Sequence, residues 1–207
     1  MRRYITGLVL ACLFVWVEAQ KMENVFVQMP DELIVQLEEA WRKDLVGLYK
    51  SGKPARLENT MSGQSVLLTL TDQYLKLQLT EHCFIELRLL PLINNTYIIC
   101  MVKTVFGPVA DSSVSFYTSE WQPLPSEGIF VPVAATWFRR EDLDEKALDE
   151  LIGLDMFLVR YSLSEEHATL TAEYTTPQYL DDDNRQIVEK FLKTEPKMYE
   201  WKSGRFE

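Results

Sequence analysis

A chain of 207 residues is long enough for one sizeable core or two small ones. Its formal net charge of −10 at pH 7 repels phosphate backbones, which excludes nucleic acid and anionic membrane surfaces as natural partners. Its eight glycines are scattered singly, so no glycine-rich phosphate loop supports nucleotide binding.

Residues 1–19 read as a signal peptide. Arg2 and Arg3 form a positive start, 4–17 is an apolar run too short to span a bilayer, and Val17-Glu18-Ala19 places small residues at the cleavage positions. Cleavage after Ala19 would leave Gln20 first and the remainder one charge more negative. The competing lipoprotein reading, Val9-Leu10-Ala11 before Cys12, would put an apolar stretch where a polar tether belongs. Export is therefore expected, to the periplasm, the outer-membrane periphery or the medium. No later stretch approaches a membrane span, so no integral membrane segment is expected in the mature chain.

Pro30, Asp31 and Glu32 suit a helix start. Leu33, Leu37, Trp41, Leu45 and Leu48 follow at helical spacing, and Ser51-Gly52 closes the run, predicting an amphipathic helix in one or two segments. Strands are predicted over 66–71, Tyr74–Thr80, 83–90, 96–105 and 114–118. In Tyr74–Thr80 the leucines alternate with Lys76 and Gln78, predicting one buried and one wet face of an antiparallel sheet. The stretch 97–102 is apolar throughout and expected to be central.

With Cys12 removed, Cys83 and Cys100 remain. A two-residue turn at Asn94-Asn95 would pair Ile93 with Thr96, placing Cys100 opposite Leu89 and Cys83 opposite Phe106, too far apart to bond. A turn at Pro91-Leu92 would bring the sulfurs opposite, but Leu suits that turn poorly. Two buried free thiols are expected.

Residues 119–137 carry Pro123, Pro125 and Pro132, which should break regular elements, together with Trp121, Phe130 and Trp137. They read as an ordered crossover between parts 20–120 and 138–207. A helix over 141–152, a hairpin over 157–163 and 169–175, a helix over 182–193 and a strand over Lys197–Lys202 follow. The fold class is α+β: amphipathic helices on antiparallel meander sheets, in a single compact domain over 20–207. Segments 74–91 and 157–177 share a strand, a Thr/Ser-Glu-His turn, a return strand and a proline. This echo admits two related halves, although antiparallel hairpins also converge on such patterns.

Little in the chain points to chemistry. His82 and His167 sit at turns and read as solvated; neither His-Glu-x-x-His nor Cys-x-x-Cys occurs. No Gly-x-Ser-x-Gly elbow is present, and both thiols lie in apolar strands. Trp121, Trp137 and Trp201 could form a sugar-stacking surface, but core packing is the commoner use. Asp181, Asp182 and Asp183 lack the glycine and closing glutamate of a calcium loop, so Asp181 reads as an N-cap with two acids in the first turn. No catalytic, cofactor-binding or metal-ligating residue is assigned, and no cofactor is expected.

As a set, Met29-Pro30-Asp31, Leu70-Thr71-Asp72-Gln73-Tyr74-Leu75, Leu89-Leu90-Pro91, Ile99-Cys100-Met101-Val102, Phe116-Tyr117 with Trp121, Leu170-Thr171 with Pro177, and Trp201 with Gly204-Arg205-Phe206 resemble a family pattern. The chain resembles the Bacteroidales family named domain of unknown function 3256 over essentially its whole mature length. The resemblance implies an exported protein of a Gram-negative gut or oral bacterium, and it carries no activity. The element order also loosely resembles the beta-lactamase-inhibitor-protein fold. The expectation is a non-enzymatic envelope protein that binds a protein partner or assists an assembly. A periplasmic carboxylate-based hydrolase and a glycan- or calcium-binding module are the alternatives.

Overall fold

The computed structural model describes residues 21–141, 143 and 156–207. The signal-peptide residues and nearly all of the helix expected over 141–152 lie outside the described residues.

Helix α1, Met22–Val27, was not foreseen, yet its signal is a helical face. Met22, Val25, Phe26 and Met29 follow at i, i+3, i+4 and i+7, and all are at most 1% exposed. The single run expected from Pro30 divides into a 3₁₀ turn, Asp31–Leu33, and helix α2, Glu39–Lys50. Non-helical backbone at Ile34 and extended backbone at Glu38 separate them. Arg42 explains the break. Its guanidinium, 1% exposed, donates to the carbonyls of Val27, Met29 and Leu37 and pairs with Asp31 at 2.7 Å. In a continuous helix from Pro30, the Leu37 carbonyl would be spent on the ladder. Gly52, with φ +69°, closes α2 as expected.

Seven strands follow in chain order as an antiparallel meander: β1 Arg56–Glu58, β2 Gln64–Leu70, β3 Tyr74–Thr80, β4 Cys83–Pro91, β5 Tyr97–Phe106, β6 Ala110–Tyr117 and β7 Pro123–Leu124. Pro123 does not break regular structure but opens the edge strand, where a missing N–H costs no ladder bond. The smaller sheet contains β8 Val159–Leu163, β9 Thr169–Tyr174, β10 Lys197–Lys202 and β11 Arg205–Phe206, in the order β11-β10-β9-β8. Helix α3, Asp182–Glu189, is shorter than expected and lies between β9 and β10 in sequence.

Alternation along the central strands builds three layers. Leu75, Leu77, Leu79, Ile85, Leu87, Leu89, Ile99 and Met101 pack with α1 and α2. Tyr74, Leu90, Ile98, Cys100, Val102 and Phe116 face the small sheet, meeting Phe130, Tyr161, Leu170 and Tyr199. Strand β5 is buried on both sides, which explains its unbroken apolar run. The face expected to be wet at Lys76 is only half so. Lys76 is 39% exposed and pairs at 2.8 Å with Glu86, because the second sheet stands over it.

The β4–β5 register differs by one residue from the expected pairing. Pro91 pairs with Tyr97, Arg88 with Cys100, and Cys83 with Val105. The connection is a three-residue loop over 93–95: Asn95 N–H donates to the Leu92 carbonyl, Leu92 N–H to that of Thr96, and Asn95 takes φ +60°. This is a turn closed by a left-handed residue, a role asparagine fills readily. Both thiols are free, Cys100 buried and Cys83 half-buried.

Candidate binding site at the end of the small sheet

The junction between the sheets is held by polar side chains of the large sheet. The outward edge of β8 would expose the N–H groups of Val159, Tyr161 and Leu163. They donate instead to Asp111 Oδ1 at 3.2 Å, Ser112 Oγ at 3.1 Å and Glu86 Oε2 at 2.7 Å, all from the large sheet. A naked edge is thereby closed to other strands. Beside it, Arg88, 3% exposed, donates to the carbonyls of Ser164, Glu165 and Glu166, tying the β8–β9 turn to β4. Burial pushes the Arg88 pKa down. Burial, and then the Glu86 carboxylate, push that of the Tyr74 phenol up. Glu86 and Arg88 thus act as joints between layers. Neither stood out in the sequence, where they read as polar alternations in a strand.

The residues singled out for chemistry lie apart. His82 and His167 are exposed at their turns. Burial raises the thiol pKa of both Cys83 and Cys100. Trp121 is buried, with Nε1 donating to the Val25 carbonyl at 3.1 Å, and Trp201 Nε1 donates to that of Pro91 at 2.8 Å. Asp181 is an N-cap, accepting from the Asn184 N–H at 3.0 Å, and this bond, then the one from the Asn184 side chain, lowers its pKa. Among the described residues no group of three His, Cys, Asp or Glu converges as a metal site.

The concave feature of interest is an open cleft of about 390 Å³ where β9 outruns β10. Their pairing ends at Ala172 and Lys197. In that register the residue opposite Tyr174 would be Glu195, and no pairing between the two is found among the described residues. Thr175 N–H donates to Leu158 on the β8 side and Trp201 N–H to Ala168 on the β10 side. By alternation, the backbone of Tyr174 points toward the β10 side, beyond the last pair, into the cleft. No hydrogen bond to those groups is found among the described residues.

One wall is the Tyr174 ring, stacked on Phe138 with centroids 5.3 Å apart and planes at 16°. Beside it, a short antiparallel bridge joins Arg139 to Leu192, with Lys193 N–H donating to the Phe138 carbonyl at 2.7 Å. Lys193 reaches over the Trp137 ring, 5.4 Å from its centroid, and lies 3.9 Å from Glu141. The other wall is the 3₁₀ turn Thr176–Tyr179, braced by Arg185 donating to the carbonyls of Pro177 and Leu180. Glu173 on the rim is held by Arg160 at 2.6 Å. Glu189 and Glu195 also line the cleft, are exposed, and have no ion-pair partner among the described residues. The site is thus apolar and aromatic inside and anionic at its mouth, within the size range of small binding pockets.

No helix among the described residues is long and apolar enough to cross a membrane. No curated protein matches the chain. Among solved structures it is similar to a domain of an uncharacterized protein from Porphyromonas gingivalis W83, at 30% identity and a TM-score of 0.80, covering 89% of this chain and 97% of that one. The family model described as "Protein of unknown function (DUF3256)" matches residues 14–206, and the chain belongs to that family.

Proposed function

We propose that the protein is exported to the cell envelope and works there as a non-enzymatic binding module that seats part of a partner protein. The cleft beside Tyr174 carries this reading. It is concave and ring-walled, it presents strand backbone with no pairing among the described residues, and the joints around it hold its walls in place. Export rests on the pattern of residues 1–19. Among the described residues, the buried ionic groups Glu86 and Arg88 hold the two sheets together and Arg42 holds the turns of the helical segment, rather than facing an open cavity.

A photo-crosslinking residue at Gln178, which lines the cleft, tests the reading in living cells; Lys53, exposed at the far end of α2, serves as the control position. The expected result is one dominant adduct from position 178, absent from position 53, whose purified partner then binds the purified protein. Equal adducts from both positions, or none from position 178, refute it. N-terminal sequencing of the envelope fraction should begin at Gln20, and a protein retained whole in the cytoplasm would refute export.

A further inference from the structure

We infer that the cleft takes an extended partner segment bearing lysine or arginine, which adds as a short strand along Tyr174; this rests on the binding-module reading above. Three observations converge. Strand β9 continues for two residues past its last pair with β10, so Tyr174 presents a backbone donor and acceptor at the edge of a formed sheet. Glu195, which the same register would set opposite Tyr174, makes no pair with it among the described residues, and that edge is available to another strand. The charges at the mouth are uneven. Glu173 is neutralised by Arg160 and Lys193 faces Glu141, whereas Glu189 and Glu195 have no ion-pair partner among the described residues.

An incoming strand sends alternate side chains to opposite faces. One set meets the Phe138–Tyr174 rings and Leu192, favouring apolar side chains. The other set faces the mouth, where Glu189 and Glu195 favour cations and repel an acidic segment. The net charge of −10 reinforces the same choice at longer range. The edge of β8 offers no such place, because side chains of the large sheet already occupy its donors.

Selection of a randomised octapeptide library on the immobilised mature protein tests the inference. The expected winners alternate apolar residues with lysine or arginine, and they protect the Tyr174 amide from hydrogen exchange. The double variant Glu189→Lys with Glu195→Lys alters two exposed side chains and should fold normally, with an unchanged circular dichroism spectrum and melting temperature. It should bind the winners about tenfold or more weakly at low salt. Winners without a basic excess, an unprotected Tyr174 amide, or equal binding by the double variant would overturn the inference. A specific adduct from position 178 alongside any of these results leaves the module reading standing and removes only the basic-strand mode. Loss of that adduct removes the module reading itself.

Discussion

Replacing Glu86 tests whether the two sheets are joined by specific polar bonds or only by apolar packing. Its carboxylate is 6% exposed, accepts from Leu163 N–H at 2.7 Å and pairs with Lys76 at 2.8 Å. In Glu86→Ala the Leu163 N–H loses its acceptor in a dry junction, which costs about 1–3 kcal/mol. Lys76 is 39% exposed, so water replaces most of what it loses, adding about 0.5 kcal/mol. The expected total is about 2.5 kcal/mol. At a urea slope of about 2 kcal/mol/M, the midpoint should fall by about 1.2 M with an unchanged slope. Glu86→Gln keeps an acceptor for Leu163 and should lose only about 1 kcal/mol. Urea titrations followed by tryptophan fluorescence check both values. If Ala and Gln cost the same, or if Ala costs less than about 0.5 kcal/mol, the junction is not held by this bond.

Arg42→Met should cost about 3–5 kcal/mol in thermal unfolding, because three backbone carbonyls and Asp31 lose one shared donor; Arg42→Lys should recover little, since an ammonium lacks the fork. Asn95→Ala should lower stability by about 1 kcal/mol and Asn95→Gly should not, as the hairpin loop needs a left-handed residue at φ +60°. Asp181 has a folded pKa below its unfolded value, so its capping contribution is present above that unfolded value, about 4, and fades as pH falls through the folded one. The melting temperatures of wild type and Asp181→Ala should therefore differ at neutral pH and converge in acid. A gap that persists unchanged in acid would refute the ionised cap. In native buffer at pH 8, Cys83 should react with a disulfide reagent more slowly than free cysteine and Cys100 only on unfolding, because burial holds both thiols protonated. Fast reaction of both thiols would contradict the packing of β4 and β5.

What the sequence determined by itself is mainly local. Strand β3 and strand β10 match their expected spans, because alternation and flanking turn residues act within a few positions. Asp181 opens α3 because capping is decided within one turn. The doubly buried β5 was legible as an unbroken apolar run. The signal for helix α1 is also local, in the spacing of Met22, Val25, Phe26 and Met29.

Tertiary structure decided the rest. The division before α2 depends on Arg42 collecting carbonyls from three turns of chain, and helical periodicity carries no trace of such a hub. The β4–β5 register rests on a three-residue loop that differs by one position from an equally plausible two-residue turn. Glu86 and Asp111 became edge caps only when a second sheet crossed over them. The cleft joins Phe138, Tyr174, Glu189 and Pro196, residues from four separate stretches, and it exists because β9 continues past the end of its pairing with β10. Periodicity and capping are properties of neighbours along the chain. A cleft is a property of where elements end relative to one another, and only the packed molecule sets that.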